Sequence, residues 1–178
     1  MKISVAKNAG FCFGVKRAIS LAEKMLEEKN HICIMGNIIN NPRIVLEFEK
    51  KGARTISSLS EVCTGENLVI RSHGVKKEIL EKADASGIEY VDATCRFVKK
   101  IHKIVSENDN ANEFLLIAGS VNHPEVMGIR SYFSKESYVF ESLEELKKIL
   151  SDEKLINKKG FMVSQTTFSS VEWKKCVE

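Results

Sequence analysis

The 178-residue sequence lacks long hydrophobic runs and lacks a large excess of either charge. Its longest uninterrupted run of hydrophobic residues, glycine not counted, covers only residues 114–118, far short of the roughly 20 residues with which a helix spans a bilayer. The 27 Lys and Arg residues outnumber the 24 Asp and Glu residues by only three, a surplus too small to indicate a nucleic-acid-binding protein. We therefore expect neither a membrane nor a nucleic-acid partner. The remaining composition, 43% hydrophobic and 29% charged, is typical of a soluble globular protein.

Cysteine is sparse, and no segment has the pattern of a secretory signal peptide. In a reducing compartment, a few spaced cysteines more often bind metal or take part in chemistry than form disulfides. The five cysteines of this chain therefore indicate a cytoplasmic protein in which some of them have a chemical role.

The sequence repeats itself at an offset of 83 residues. Cys12 then aligns with Cys95, and both copies read Cys-x-x-Val-Lys followed by a basic residue. Each motif opens a segment with apolar residues at helical spacing, and the strand-like residues 32–36 align with residues 115–119. The length leaves room for two compact domains of about 90 residues each. We infer an internal duplication.

Short apolar strands alternate with helical segments in both copies, which predicts an α/β fold with parallel sheets. We place the first α/β repeat at residues 1–95 and the second at residues 96–178. With small gaps the pairing continues, and Ala83, 12 positions before Cys95, then aligns with Cys176, so a third copy would begin shortly after the last residue. We therefore expect tandem similar α/β domains in a pseudo-threefold arrangement whose third domain is missing from this chain.

The repeated cysteines are the first candidates for a chemical role. Cys12 and Cys95 both open predicted helices, where the helix dipole favours an anionic thiolate and hence a metal or cluster ligand. A single cysteine at such a place is more often a small packed side chain, but packing gives no reason for the placement to be duplicated. Cys33 lies in an apolar strand, Cys63 in a turn and Cys176 on a helix, and none of the three is a good ligand candidate.

Polar residues that follow predicted strands are further candidates, because parallel α/β sheets bind ligands at the carboxyl ends of their strands. His73, with a glycine after it, is suited to an anion or is an ordinary surface histidine. His123 and Glu125 pair a group that can hold an anion with one that can move protons, or form a loop in which the glutamate caps a helix. Residues 165–167 (Gln-Thr-Thr) offer a hydrogen-bond relay or a helix N-cap, a role for which Thr167 is the better candidate.

Together these segments resemble the 4-hydroxy-3-methylbut-2-enyl diphosphate reductase (LytB/IspH) family. Five motifs, in the family's order and over essentially the whole chain, carry the resemblance. They are Gly10-Phe11-Cys12-Phe13-Gly14-Val15, Ser72-His73-Gly74-Val75, Asp92-Ala93-Thr94-Cys95, His123-Pro124-Glu125-Val126 and Gln165-Thr166-Thr167-Phe168-Ser169.

The resemblance implies a fold, a cofactor and a reaction. The family has three similar α/β domains around a [4Fe–4S] cluster held by one cysteine from each, so Cys12 and Cys95 would be cluster ligands. Three thiolates leave one iron open to the substrate's hydroxyl group. The implied reaction is the reductive dehydroxylation of the allylic diphosphate to isopentenyl and dimethylallyl diphosphates, with a ferredoxin or flavodoxin as electron donor.

The resemblance also assigns roles to polar residues. His73 and His123 would bind the substrate diphosphate, and Glu125 with Thr166 would belong to the proton-delivery network. Asn40 stands where the family usually has another diphosphate-binding histidine, and an asparagine side chain can donate a hydrogen bond but carries no charge.

A third ligand cysteine has no equivalent in this sequence, and two thiolates are too few for the family's cluster. We therefore expect the isolated chain to be an incomplete and inactive portion of the reductase. The alternative is a non-catalytic protein of the same fold that binds an anion or a metal.

Overall fold

The computed structural model describes residues 3–7, 9–29 and 31–178, and it divides into two compact α/β units. The first unit extends to Ser72 and includes Tyr90–Cys95, and the second contains His73–Glu89 and Arg96–Glu178. Contacts therefore assign residues 73–89 to the second unit, whereas the repeat boundary drawn from the sequence lies near residue 95. In the described parts of the chain, no helix is both long enough and apolar enough to cross a membrane.

The first unit contains a four-stranded sheet whose strands are all parallel. The elements of this unit are α1 (Phe13–Lys29), β1 (Ile32–Met35), α2 (Pro42–Lys50), β2 (Ala53–Ile56), a 3₁₀ turn (Leu59–Glu61), β3 (Asn67–Ile70) and β4 (Tyr90–Asp92). The strand order is β2-β1-β3-β4, so β1 pairs with two neighbours, and it is buried along its whole length.

Helix α1 covers this sheet with small apolar side chains. Ala18, Ala22 and Leu26 recur every fourth residue and are buried in the same cluster as Ile34 and Val69 of the sheet. This spacing places one face of the helix on the strands. The start of α1 at Phe13 agrees with the helix that the sequence predicts after Cys12.

The second unit contains a three-stranded parallel sheet in the order β6-β5-β7. Its central strand is again buried throughout. The elements are α3 (Lys77–Ala85), α4 (Arg96–Asn108), β5 (Phe114–Ala118), α5 (Pro124–Ser131), β6 (Glu136–Phe140), α6 (Leu143–Leu150), a 3₁₀ turn (Glu153–Leu155), β7 (Gly160–Ser164) and α7 (Ser170–Val177).

The first three strands of each sheet share one topology, and β4 adds a fourth strand to the first sheet. In each, the first strand in the chain is central, the second lies on one side of it and the third on the other. The aligned segments of the sequence repeat fall on corresponding strands, with residues 32–36 at β1 and residues 115–119 at β5. The predicted α/β fold with parallel sheets is confirmed.

Candidate functional site

Cys12 and Cys95 each stand immediately before a helix, as the sequence predicts. Helix α1 begins at Phe13, and the carbonyl of Cys12 accepts a hydrogen bond from the Lys16 amide at 3.0 Å. Helix α4 begins at the residue after Cys95. Cys12 is exposed and Cys95 is partly exposed.

The Cys95 thiol lies against the first turn of α1. A Cβ atom built on Gly14 would stand 2.6 Å from Cys95 Sγ and 3.2 Å from Cys95 Cβ. Gly14 is two residues from Cys12, so their Cα atoms are separated by at most about 7.6 Å. The fold therefore brings the two cysteines, 83 positions apart in sequence, to the same end of the first unit.

Arg17 holds the backbone segment that leads to Cys95. Its guanidinium donates to the carbonyl oxygens of Thr94 at 3.2 Å and Asp92 at 3.3 Å. The Asp92 carboxylate accepts from the Thr94 amide at 2.9 Å, and the Cys95 amide donates to the Ser72 carbonyl at 2.9 Å. Sequence reasoning missed this role of Arg17, although the basic residue after Val-Lys in the repeated motif was visible.

Replacing Gly14 with alanine is expected to displace the Cys95 thiol. The new methyl group would lie closer to Sγ than real Cβ contacts allow, while the helix itself should gain slightly from the better propensity of alanine. We expect an altered alkylation rate at Cys95, measured by mass spectrometry, with little loss of thermal stability. Ser20→Ala on the exposed face of α1 is the control, and an unchanged Cys95 rate in Gly14→Ala would contradict this contact.

The two thiols fit part of a metal centre. Thiolates are the ligands that iron–sulfur clusters and soft metal ions prefer, and the close approach at Gly14 leaves the Cys95 thiol beside the start of α1. Within the described residues, no group of three or more His, Cys, Asp or Glu side chains is placed to hold a metal ion. The described residues therefore supply two candidate thiolate ligands but no complete set of protein ligands for a cluster.

The other three cysteines have different surroundings. Cys33 is fully buried in β1, and burial raises the pKa of its thiol to about 11. Cys63 is exposed beside the Arg54–Glu66 ion pair, and Cys176 lies on α7.

Two predicted anion-binding histidines are adjacent in the second unit. The rings of His73 and His123 meet edge to face with centroids 5.4 Å apart. His123 is the N-cap of α5, and its Nδ1 accepts a hydrogen bond from the Glu125 amide at 3.2 Å. A neutral His123 ring therefore carries its proton on Nε2, which leaves an N–H donor for a ligand.

Glu125 is a buried carboxyl group bound to Thr166. It is only 1% exposed, and its two oxygens accept from the Thr166 amide at 2.7 Å and the Thr166 hydroxyl at 2.8 Å. Burial raises the pKa of Glu125, and the two Thr166 bonds and nearby His123 offset part of that effect. A carboxyl group in such surroundings is suited to hold and release a proton.

Gln165 fixes the turn that presents Thr166. Its side-chain oxygen accepts from the Ser120 amide at 3.2 Å, and its amide nitrogen donates to the Thr167 hydroxyl at 2.5 Å. Of the two alternatives for residues 165–167, the helix N-cap at Thr167 is wrong, because Ser169 is the N-cap of α7 and accepts from the Glu172 amide at 3.3 Å.

Asn40 is exposed in the turn between β1 and α2, in which Ile38 and Ile39 are buried. Its neighbour Asn41 caps α2 by accepting from the Arg43 and Ile44 amides at 3.1 and 3.4 Å. The turn thus offers the Asn40 side chain at the carboxyl end of the central strand of the first unit.

Comparison with known proteins identifies the family. A family model described as LytB protein matches residues 3–178. A 4-hydroxy-3-methylbut-2-enyl diphosphate reductase of Caldanaerobacter subterraneus subsp. tengcongensis is 39% identical over 182 residues, covering 100% of this chain and 62% of that protein.

Two solved structures have similar folds. The E-1-hydroxy-2-methyl-but-2-enyl-4-diphosphate reductase from Plasmodium falciparum has a TM-score of 0.85 at 32% identity, covering 96% of this chain and 53% of that one. An (E)-4-hydroxy-3-methyl-but-2-enyl diphosphate reductase, described as the terminal enzyme of the non-mevalonate pathway, has a TM-score of 0.79 at 36% identity, covering 98% of this chain and 62% of that one. The chain spans about three fifths of the length of its curated relatives. With the match over nearly all of its residues, the chain belongs to the LytB protein family.

Proposed function

We propose that this chain forms part of a cytoplasmic iron–sulfur reductase that converts 4-hydroxy-3-methylbut-2-enyl diphosphate to isopentenyl and dimethylallyl diphosphates. The observation that carries the proposal is the buried Glu125 carboxyl group bound to Thr166, two residues from a histidine that pairs with His73. An allylic diphosphate that loses a hydroxyl group requires a proton-holding group beside a pair of anion-binding side chains. The family assignment supports the same reaction.

The substrate diphosphate is assigned to His73 and His123, with Asn40 as a further contact. His123 donates through Nε2, because its Nδ1 is occupied by the Glu125 amide. Asn40 contributes only a neutral hydrogen bond.

The proton for the departing hydroxyl group is assigned to the Glu125–Thr166 pair. The raised pKa of Glu125 favours the protonated acid. The Thr166 hydroxyl group is hydrogen-bonded to this carboxyl group and would link it to the next group in the proton-delivery network. Protonation helps expel the oxygen as water.

Cys12 and Cys95 are proposed as two thiolate ligands of the [4Fe–4S] cluster. When bound, the cluster would supply electrons and an open iron site for the substrate hydroxyl group. Turnover is assigned to a protein in which a third thiolate completes the site, and not to these 178 residues alone. The alternative, a non-catalytic anion- or metal-binding protein, draws support from the two-thiolate set and from Asn40.

The anion site is tested with pyrophosphate. We expect the His73→Ala, His123→Ala double variant to bind pyrophosphate at least about tenfold more weakly than the wild type, because two donors are removed. His31→Ala, which removes an exposed histidine outside this pair, should leave the affinity unchanged, and Asn40→His should increase it. Isothermal titration calorimetry measures all four, and equal affinities for the double variant and the wild type would refute the assignment.

A further inference from the structure

Helix α4 has a strongly basic face that begins one residue after Cys95. The four cations of the helix are exposed and share the spacing of one helical face. They are Arg96, Lys99, Lys100 and Lys103. We call these four residues the basic face of α4.

The opposite face of α4 packs into its own unit. Val98, His102 and Val105 are buried, and His102 stacks on Tyr132 with ring centroids 4.3 Å apart. The burial of this face fixes the rotation of the helix, so the basic face points away from the core of the unit. The Lys103 side chain is 74% exposed even though it pairs with Glu107 at 3.6 Å.

The charge of this helix is out of proportion to its length. Its 13 residues hold four basic groups and one acidic group, a net charge of +3 that equals the net charge of the whole chain. The rest of the chain is therefore balanced, and α4 is where a charged partner would be attracted.

An exposed aromatic side chain accompanies the cations. Phe97 is 53% exposed, and the Arg96 guanidinium lies 5.0 Å from the centre of its ring. Aromatic and arginine side chains are enriched in protein–protein interfaces. A basic face with an exposed aromatic residue fits a protein partner better than a bare polyanion.

We propose that the basic face of α4, with Phe97, is the docking surface for a small acidic electron-carrier protein. The inference rests on the proposed function, which requires electrons at the centre that Cys95 would bind, and the surface starts at the next residue. Redox encounters are small and transient, so opposite charges on the two partners steer them together.

The proposal is tested by charge reversal with a matched control. Purified FMN-loaded bacterial flavodoxin, an acidic carrier, is titrated with the full 178-residue chain at low salt. Lys100→Glu, Lys103→Glu is compared with Lys147→Glu, Lys148→Glu, an equally exposed lysine pair on α6 whose reversal changes the net charge by the same amount.

We expect the α4 double variant to bind flavodoxin at least about tenfold more weakly and the α6 control within about twofold of the wild type. Added salt should weaken wild-type binding. Equal losses in the two variants, absence of wild-type binding, or tighter binding of duplex DNA than of flavodoxin would overturn the proposal. If the charge-reversed chain does not fold, Lys100→Ala, Lys103→Ala replaces it, with an expected loss of about threefold.

Pyrophosphate titration of the same variants separates this inference from the proposed function. The α4 variants should keep the wild-type affinity for pyrophosphate, because no residue of the basic face belongs to the assigned anion site. If the wild type does not bind pyrophosphate, the proposed function is contradicted, while the docking result is unaffected.

Discussion

Replacing Glu125 with alanine is expected to lower the free energy of unfolding by about 1–3 kcal/mol, the usual cost of leaving a buried hydrogen-bonding group without its partner. The carboxyl group is 1% exposed and takes both hydrogen bonds offered by Thr166. The alanine variant leaves the Thr166 amide and hydroxyl group without these acceptors and opens a cavity beside them. Urea denaturation of the wild type and variant measures the loss.

Glu125→Gln separates the charge of this residue from its hydrogen bonds. Glutamine can accept from the Thr166 amide and donate to the Thr166 hydroxyl oxygen, so the contacts are kept while the buried charge is removed. The variant should therefore lose less stability than Glu125→Ala at every pH.

The pH dependence of Glu125 follows from its raised folded-state pKa. Above that raised value the folded protein bears the unfavourable cost of a buried charge, and below the ordinary value of 4.5 both states are protonated and the cost disappears. The stability of the wild type relative to Glu125→Gln should thus rise as the pH falls through this window. Glu144→Gln, at an exposed glutamate on α6, is the control. If the stability of the wild type relative to Glu125→Gln falls on acidification, the raised pKa is contradicted.

The parts of the site that the sequence predicted are those governed by local pattern. Cys12 and Cys95 could be placed before helices because each precedes a run of apolar residues at helical spacing. Glu125 and Thr166 could each be placed after a strand, but their association came from the family resemblance. The structure shows that the two strands, β5 and β7, are neighbours in a parallel sheet and therefore end at the same edge.

The parts that the sequence did not predict depend on contacts between distant segments. The approach of the Cys95 thiol to Gly14 and the hydrogen bonds from Arg17 to residues 92 and 94 join positions about 80 residues apart, and no local pattern records them. The error at Thr167 has a similar cause. Its hydroxyl group accepts a hydrogen bond from the Gln165 side chain, whose direction depends on tertiary packing.

Loss of either Cys12 or Cys95 is expected to abolish high-affinity binding of a soft metal ion. Two thiolates that share one ion bind it far more tightly than either alone, so Cys12→Ser or Cys95→Ser should weaken binding on the order of 100-fold. Cys63→Ser removes an exposed thiol that belongs to a different part of the first unit, beside Arg54, and should have little effect.

Anaerobic titration of the reduced 178-residue chain with Cd²⁺, followed by thiolate-to-metal charge-transfer absorption, tests most directly whether Cys12 and Cys95 form one metal-binding centre. We predict one tightly bound Cd²⁺ per chain in the wild type and in Cys63→Ser, and loss of that binding in Cys12→Ser and in Cys95→Ser. Tight Cd²⁺ binding that survives in the Cys12→Ser, Cys95→Ser double variant would contradict the assignment of these two cysteines.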